Sequence, residues 1–409
     1  MTKISRTFCS KSKAREVLQS GNFTIELYDS INNVEEHWAS LAPQDVFFSV
    51  EFLRCVERYT PSGIQPFYGI VSENRHPVGI IYLQSKYVRL RENLRKPGAV
   101  QNTGIKYVTD PLKKAVVHAL NFHTIVCGNL LLTGKYGYFF QKGISKEQQF
   151  FLVSKTIDQL AQHLRKQGIK TGLMLIKDFF ESESLAEDFA VQDFTRFSVQ
   201  PKMILHVDPK WKSLEDYMED LKSKYRIRIR KALEKASEID KVELGVEEIR
   251  KYRKSIHRLY KNVSEQADFN AFTLHEQYFE HLKEALGSQM TFTAYFMEGQ
   301  MVAFHTSIHN FGVMDAHFLG YEPHLNQMCH LYLNMLIDLL CQGIKGNAEI
   351  IDMSRTAIEI KSTIGARPYD MHLYLKHTNH ILNKTVSSIL SLVKPQQDYI
   401  IRQPFRVEK

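Results

Sequence analysis

Apolar and polar positions alternate in the last third of the chain in a way that predicts a meander of antiparallel strands. From Met290 to Phe296 the apolar side chains fall at every second residue, which is typical of a half-buried strand. Turn residues follow at 298–299 and 310–312. They separate two further strands, which we predict over 301–309 and 313–320.

The densest apolar stretch comes directly after this meander. Residues Met328–Gln342 are apolar on nearly every side and stop at Gly343, so they predict a buried helix. A strand is predicted over Glu349–Met353, and a polar loop over Ser354–Gly365 follows it. This stretch therefore has a regular strand–helix–strand order that ends in a polar loop.

The first half of the chain repeats a similar order of elements. Two helices are predicted over 32–41 and 50–59, and a hairpin turns around 73–75. Residues Ser145–Gln167 have an apolar stripe at helical spacing, and a strand over Thr171–Lys177 follows them. No repeat is visible residue by residue, so only the order of elements suggests an internal duplication.

Length and composition narrow the class of protein. At 409 residues the chain exceeds one ordinary core, which suggests at least two domains. The 5 cysteines form neither a CxxC pair nor a zinc spacing, so we expect no metal and a reducing cytoplasm. The polar first residues carry no secretory h-region, and no apolar run approaches the ~20 residues of a membrane span.

A basic helix is predicted within Ser213–Ala236, where the densest positive charge lies at Lys222–Lys231. The net charge of +8 favours anionic ligands such as phosphates, CoA, nucleic acid or an anionic lipid surface. Arg226 and Arg230 are therefore candidate substrate-binding residues. A solvated helix face explains the same charges equally simply.

Polar side chains in the second hairpin of the meander suggest acid–base chemistry. If this hairpin pairs symmetrically about Phe311, Ser307 faces Asp315 and His305 faces His317 on one side of the sheet. Histidine titrates near neutral pH, so a base beside a bound substrate is one interpretation of this stripe. The other is a solvent-facing polar side of the sheet. A zinc site is a weaker third option, because the spacing is not that of zinc ligands.

Two cations stand in the predicted polar loop. Arg355 and Lys361 follow the end of a strand, where they could hold a phosphate or stabilise an oxyanion. Ordinary surface charge is the alternative.

The order of these elements resembles the GNAT-like acyltransferase domain of the Fem/BioF2 type. In that family a K-x-x-x-G segment follows the strand after the long helix, and Lys361 and Gly365 fit it. The basic helix around 224–231 is also similar. The resemblance covers roughly 201–376, and the first half, including Phe47–Leu53, resembles a degenerate first unit.

The resemblance implies an α/β (α+β) fold of two GNAT-like units, each a mixed, mostly antiparallel sheet flanked by helices. We expect a flexible arm over 1–21, a first unit over 22–200 and a second, acyltransferase unit over 201–377. A C-terminal helix and basic tail would occupy 378–409.

The resemblance also implies transfer of an acyl group, from acetyl-CoA or another acyl-CoA, to an amine by direct attack. His305 or His317 would then be the base, Lys361 or a backbone N–H would stabilise the oxyanion, and Tyr321 would protonate the leaving thiolate. Donor-binding candidates are Gln327, Met328 and Cys329 at the predicted helix start, together with Arg355; Ser307 and Asp315 would bind the acceptor.

The donor stays open at this stage. Residues 325–330 lack the glycines that let a backbone approach a CoA pyrophosphate closely. A Fem-type aminoacyltransferase, using charged tRNA on a cell-wall precursor, is therefore an alternative, and a non-catalytic binding protein of the same fold is another. The acceptor is a small-molecule or lipid-linked amine, peripheral contact with an anionic membrane is compatible with the charge, and DNA is not an expected partner.

Overall fold

One mixed sheet runs through the structure, a computed structural model that describes residues 14–89, 121–183, 193–266, 272–384, 386 and 399–406. Its strands are β1 (Glu16–Ser20), β2 (Phe23–Tyr28), β3 (Ile64–Glu73), β4 (His76–Arg89), β5 (Asn121–Cys127), β6 (Tyr138–Phe140), β7 (Thr171–Phe180), β8 (Thr195–His206), β9 (Asp240–Glu243), β10 (Met290–Met297), β11 (Gln300–Asn310), β12 (Val313–Tyr321), β13 (Ile350–Asp352) and β14 (Arg367–His377). They join in the order β1-β2-β3-β4-β5-β7-β14-β8-β13-β12-β11-β10-β9, and β6 pairs with β4.

Helices cover both faces of this sheet. They are α1 (Glu35–Leu41), α2 (Val50–Arg58), α3 (Lys146–Lys166), α4 (Leu214–Asp220), α5 (Ser223–Lys235), α6 (Val246–Lys251), α7 (Arg253–Ser264), α8 (Tyr278–Leu286), α9 (Pro323–Cys329), α10 (Leu331–Lys345) and α11 (Ile358–Ser362). The helix α3 begins with a capping box in which Ser145 and Gln148 each bind the other's backbone N–H. Its apolar stripe is buried, as its spacing predicts.

Among the described residues the sheet contains two parallel strand pairs, and each is joined through a long helix. β5 and β7 are parallel and connect through α3, whereas β12 and β13 are parallel and connect through α10. Parallel neighbours need such a crossover because a tight turn only joins antiparallel strands. The other pairings within the sheet are antiparallel. The repeated order of elements confirms the predicted mixed, mostly antiparallel class.

The two halves share both their sheet and their largest core. β14, from the end of the chain, lies between β7 and β8 and pairs with both. One apolar cluster includes Trp38 and Phe52 of the first half together with Phe279 and Phe304 of the second. Burial on this scale makes the two halves one cooperative packing unit around their junction.

Several predicted boundaries were wrong. The predicted arm over 1–21 contains β1, which pairs with β2; residues 1–13 lie outside the described part. β8 continues through the predicted break at Pro201, because a bulge against β14 accommodates the missing proline N–H. The single helix predicted over 213–236 divides at Leu221, whose backbone is extended and bridges to Phe405 instead.

The end of the chain introduces two further corrections. The long helix α10 begins at Leu331 rather than Met328 and continues past Gly343 to Lys345. Gly343 is needed there because a Cβ would lie 2.4 Å from Ile351. The predicted polar loop contains the short helix α11. Most of the predicted C-terminal helix lies outside the described residues.

Candidate functional site

A β-bulge in β12 changes the course of this strand in the middle of the second half. His305 is opposite Leu319 and Ser307 is opposite Ala316, so two residues of β12, His317 and Phe318, stand against Thr306 alone. The Thr306 hydroxyl bonds both the N–H of Phe318, at 3.0 Å, and its carbonyl oxygen, at 3.1 Å. A bulge of this kind bends its strand and is common beside active sites.

β12 and β13 separate just before this bulge. Their parallel pairing covers Val313–Asp315 against Ile350–Asp352 and ends there, although β12 continues to Tyr321. Beyond Asp315 the edge of β12 that faced β13 therefore lacks that partner strand. An exposed strand edge of this kind can bind an extended ligand through backbone hydrogen bonds.

The loop after β13 has an unusual backbone conformation. Ser354, Thr356 and Ala357 all have left-handed φ angles, of 59°, 66° and 48°. Such conformations cost of order 1–3 kcal/mol each and persist only where the surroundings impose them. Lys361 supplies one such constraint, since its Nζ donates at 2.6 Å to the carbonyl oxygens of both Met353 and Arg355.

Lys361 is therefore placed differently from the sequence-based expectation. Its side chain is buried, and burial lowers its pKa to about 7 against an opposing effect of Asp352. The ammonium donates to backbone carbonyls rather than projecting from a loop. In this conformation Lys361 shapes the loop and does not offer an exposed charge to an oxyanion.

A small polar cavity of about 30 Å³ lies where β12 and β13 part. Its lining comes from both halves of the chain: Phe47, Leu131, Leu132, Thr133, Tyr136, Asp315, Ala316, His317, Asp352 and Ser354. The sequence analysis named Asp315 and His317 from this set but not the first-half residues. No local sequence pattern marks the first-half residues, because only the tertiary fold brings them close to β12.

The first-half wall, residues 128–137, is tied down by buried ions. Lys177 Nζ donates to the carbonyl oxygens of Asn129 and Leu132, at 2.7 and 2.6 Å, and Lys202 Nζ donates to Thr133 at 2.9 Å. The Thr133 hydroxyl lies 3.2 Å from that of Ser354. Lys177 therefore holds the wall within the first half, whereas Lys202 and Ser354 connect it to the second half.

Carboxyl groups dominate the floor of the cavity. Asp315 and Asp352 are register partners and both are buried, and Lys202 forms an ion pair with Asp352. The Oδ2 of Asp315 is buried and has no hydrogen-bond partner in the described part of the chain. Burial and, next, the charge of Asp352 raise the pKa of Asp315 well above its usual range.

The predicted stripe of four polar residues does not exist, because the hairpin pairs in another register. Phe311 and Gly312 both have positive φ angles, of 47° and 87°, and form a two-residue turn that pairs Asn310 with Val313. This shifts the pairs from Asn310 to Ser307 by one residue relative to the symmetric pairing, and the bulge shifts the pairs from His305 onward by a second residue. Ser307 therefore faces Ala316, and Asp315 faces Ile308.

The two histidines lie on opposite faces of the sheet. His305 is 1% exposed and bonds Tyr295 and Gln342, at 3.0 and 3.1 Å, on the α10 side. His317 bonds the Tyr278 hydroxyl of α8, at 2.9 Å, on the cavity side. Burial lowers the pKa of His305 to about 4 and that of His317 to about 3. Both rings are thus neutral near pH 7, and only His317 lines the cavity.

Two more predicted residues bind partners of their own. Ser307 donates to the Gln342 side chain at 2.9 Å, so it belongs to the His305 side and not to the cavity. Arg355 forms an ion pair with the buried Asp178 of β7, so it links the halves instead of standing free for a phosphate. Tyr321 lies at the far end of β12 from Asp315 and packs near Tyr332.

The predicted donor residues do not start the long helix. Gln327, Met328 and Cys329 are the last residues of the separate helix α9, and His330, with a left-handed φ of 52°, joins it to α10. Gln327 and Met328 are exposed, whereas Cys329 is buried. The N-terminus of α10 is therefore bordered by His330.

A basic groove of about 440 Å³ lies between α5 and the start of α10. Its lining residues are Lys224, Ile227, Arg228, Lys231, Lys235, His330 and Leu333. None of the four lysine and arginine side chains has an ion-pair partner in the described ranges. The pKa of His330 is lowered by burial and then by Lys235, Arg228 and Lys231, which shows the field that these cations create.

Arg226 and Arg230, the two α5 residues named from the sequence, do not line this groove. Arg226 donates to the carbonyl oxygen of Leu221 at 3.4 Å, and Arg230 is exposed on another face of the helix. The groove cations recur at intervals of 4, 3 and 4 residues, which is the spacing of one helical face. That signal was available in the sequence.

Comparison with known proteins gives a family match for the part of the chain that contains this site. Residues 223–362 match the family model described as an acetyltransferase (GNAT) domain. This segment is therefore similar to a GNAT acetyltransferase domain. The GNAT unit thus includes α5, the bulge, the parting strands and Lys361. No curated protein sequence matches the chain significantly.

Among solved structures, FemX shares the fold of this chain. FemX is 11% identical over 88% of this chain and 99% of its own, with a TM-score of 0.53. A tandem GNAT protein from the clavulanic acid biosynthesis pathway is 10% identical over 87% of this chain and 99% of its own, with a TM-score of 0.47. L-PGS from Bacillus licheniformis is 10% identical, covers 76% and 86%, and has a TM-score of 0.41.

Two further features bear on cofactors and membranes. Among the described residues, no cluster of three or more histidine, cysteine, aspartate or glutamate side chains is arranged to hold a metal ion. In the same part of the chain, no helix has both the length and the apolar character that a membrane crossing requires.

Proposed function

We propose that this acyltransferase moves an acyl group, acetyl in the simplest case, from acyl-CoA to an amine by direct attack. The observation that carries the proposal is the parting of β12 and β13 over a buried polar cavity. An extended thioester arm that contains amides could pair with the free edge of β12. Its acyl group would then lie beside Asp315 and His317.

The chemistry follows from the groups at this place. Backbone N–H groups of β12 beyond Asp315 are candidate donors to the oxyanion, since Lys361 is occupied by carbonyls. His317 is neutral and fixed by Tyr278, so it can orient a substrate through a hydrogen bond. His305 and Tyr321 have no chemical role in this proposal, because neither lines the cavity.

Calorimetry with acyl-CoA tests the donor. The purified full chain is titrated with acetyl-CoA and with acyl-CoA of longer chains, and amine products are followed by mass spectrometry. Saturable binding of at least one acyl-CoA is expected. Absence of binding across the series would exclude acyl-CoA as the donor.

A second candidate is aminoacyl transfer from charged tRNA to a cell-wall precursor, as in Fem-type enzymes. The basic groove favours it, because four cations line one face of α5 over about three turns. A row of this length suits several consecutive phosphates. Binding of charged tRNA that weakens steeply with salt would support this donor, and a flat salt dependence would count against it.

The proposal defines the acceptor only as an amine. A small-molecule or lipid-linked amine would approach the cavity that Asp315 and His317 line. The basic surface of α5 is compatible with peripheral contact with anionic lipid. Free thiols at Cys55, Cys127, Cys329 and Cys341 are compatible with the cytoplasm as the expected compartment.

A further inference from the structure

Two exposed apolar side chains stand beside the basic groove of α5. Ile227 is 62% exposed and Met328 is 61% exposed, although both are large and aliphatic. Ile227 lines the groove one helical turn from Lys224 and from Lys231, and Met328 lies in the sequence two residues before His330, which also lines it. Exposed apolar side chains that are rimmed by charged groups are typical of an interaction surface. A ligand for this face therefore needs apolar surface as well as negative charge.

The cations of the groove extend further than one pyrophosphate group. Lys224 and Lys235 mark the two ends of the row, about 16 Å apart along the axis of α5. Arg228 and Lys231 lie between them, and no carboxylate of the described residues forms an ion pair with any of the four. A small acidic protein presents carboxylates over such a distance, and complementary charges of this kind steer and orient a partner.

The start of α10 offers few free backbone donors to a pyrophosphate. The Tyr332 N–H already donates to the Asn326 side chain at 2.8 Å. Residues 325–330 contain no glycine, and His330 occupies the turn with its left-handed φ of 52°. A donor that carries a single phosphodiester needs fewer of these contacts than coenzyme A does.

The apolar residues of this surface favour a protein over RNA. The four cations alone would also suit a row of phosphates. Surfaces that bind single-stranded nucleic acid add aromatic rings on which bases stack, and the lining of the groove has no phenylalanine, tyrosine or tryptophan within the described part of the chain. Ile227 and Met328 would find no apolar partner on a phosphate backbone, whereas a protein surface supplies one.

The groove lies near the end of the open edge of β12. Tyr321, the last residue of β12, packs near Tyr332 of α10 with ring centroids 6.1 Å apart, and His330 of the groove comes two residues before Tyr332. From Ala316 to Tyr321 the edge measures about 16 Å at the usual rise of a strand. A phosphopantetheine arm has roughly the main-chain length of five extended residues, also about 16 Å. An arm that starts near the groove can therefore bring its thioester to the cavity.

We propose that the preferred acyl donor is a small acidic carrier protein that bears the acyl thioester on a phosphopantetheine arm. Its acidic surface docks on the basic groove and contacts Ile227 and Met328, and its arm follows the edge of β12. This inference rests on the proposed acyl transfer and names the class of donor for the same site.

The bond changes balance without another reactant. The amine nitrogen of the acceptor forms the C–N bond to the acyl carbon, and the C–S bond breaks with its electron pair on the sulphur of the arm. One proton moves from nitrogen to sulphur, so the carrier leaves as a free thiol. Acyl-CoA reacts with the same balance, and the two donors differ only in the groups beyond the arm.

Calorimetry on the full chain tests the inference without turnover. The chain is titrated with a purified acyl carrier protein that bears an acetyl group, with the same carrier protein lacking its arm, and with acetyl-CoA. The Kd of the loaded carrier is expected to be about 100-fold lower than that of acetyl-CoA and to rise steeply with salt. The carrier without its arm should still bind, because docking uses the surface of the protein.

Paired variants separate the groove from general charge. Lys231→Gln and Ile227→Ser should each weaken binding of the carrier about 10-fold. Two exposed residues elsewhere supply the controls, Lys345→Gln at the far end of α10 and Val17→Ser on β1, at the opposite edge of the sheet from β9. Neither control should change the affinity for the carrier.

The outcomes distinguish this inference from the acyl transfer on which it rests. Equal affinity for the carrier and acetyl-CoA, no binding of the carrier, or groove substitutions that weaken charged tRNA but not the carrier would overturn the inference. A carrier that binds the groove without any acyl transfer would instead contradict the proposed reaction and leave the docking surface in place. Acyl transfer from acetyl-CoA without binding of the carrier would do the reverse.

Discussion

Asp315 of β12 and Asp352 of β13 are register partners on adjacent parallel strands, and the ladder between those strands ends at this pair. Two carboxyl groups in such a position repel each other, so one cation, Lys202, bonds Asp352 while Asp315 keeps its proton more readily. The same pair marks the place where the sheet opens. The end of the strand ladder and the raised pKa of Asp315 therefore coincide at one point of the fold.

Replacing Asp315 with asparagine should stabilise the protein near neutral pH. Burial raises the pKa of Asp315, so the folded state binds a proton that the unfolded state has already lost. Stability therefore falls as pH rises from the ordinary carboxyl pKa through the folded value. Asp315→Asn should gain roughly 1–3 kcal/mol of unfolding free energy at pH 8, the usual cost of an uncompensated buried group. Urea unfolding of the wild type and Asp315→Asn at pH 5 and pH 8 measures this gain. A lower unfolding free energy of Asp315→Asn at pH 8 would refute the prediction.

Acid should destabilise the protein below pH 6.5. The folded-state pKa values of His305 and His317 are lowered to about 4 and about 3, whereas the unfolded chain binds protons near 6.5. The stability that the two neutral histidines contribute is present above pH 6.5. It is lost as the pH falls towards their folded-state pKa values. The melting temperature of His317→Gln should fall less between pH 7 and pH 5 than that of the wild type. The exposed His324→Gln should behave like the wild type.

Removing the Lys361 ammonium should loosen the loop after β13. Lys361→Met loses both bonds to the carbonyl oxygens of Met353 and Arg355, so we expect about 2–4 kcal/mol of destabilisation. Acyl transfer should fall as well, because the separation of β12 and β13 loses this constraint. Urea unfolding and initial rates are compared with Lys345→Met, an exposed lysine at the end of α10. Unchanged stability would show that the loop is held by other groups.

Charge reversal on α5 should weaken donor binding where the residue lines the basic groove and change it little elsewhere on the helix. Lys231→Glu lies in the basic groove, whereas Arg230→Glu changes the same charge on another face of the helix. Binding of the donor should weaken at least 10-fold for Lys231→Glu and little for Arg230→Glu. With an RNA donor the salt slope should also fall by about 1 for each lost phosphate contact. Equal effects of the two variants would argue for a general field instead of a groove.

Adding a methyl group to Gly320 should separate α7 from β12. A Cβ there would lie 2.5 Å from backbone atoms of both Leu259 and Tyr260, which cannot move independently of the helix. Gly320→Ala should therefore cost about 1–3 kcal/mol, the range for overpacking. In the control, Gly245→Ala, the Cβ meets only the flexible end of Glu248. Equal unfolding free energies for the two variants would contradict this close packing.

The sequence was informative wherever local periodicity reports burial. Alternation over Met290–Phe296 identified β10, and the stripe within Ser145–Gln167 identified α3, because each side chain's face follows from its own position. The order of elements suggested an internal duplication, and the family resemblance implied two GNAT-like units. The boundary that we proposed between them at 200 and 201 falls inside β8, which remains compatible with two units sharing a sheet.

The candidate site was only partly predictable. Asp315 and His317, which we named as acceptor-binding and base candidates, both line the cavity, although the assumed hairpin pairing does not occur. A two-residue turn and a bulge set the true register, and both depend on contacts across the sheet. Lys361 was named as an oxyanion donor, and its burial and its carbonyl partners could not be inferred from its position in a polar loop.

The sequence by itself determined the types of the elements, their order and the apolar faces that they bury. Tertiary structure alone decided that Thr133 and Tyr136 meet Asp315, that β14 returns between the halves, and that His305 and His317 face opposite ways. The physical reason is that periodicity records whether a residue is buried. It does not record which distant strand, loop or charge is packed against that residue.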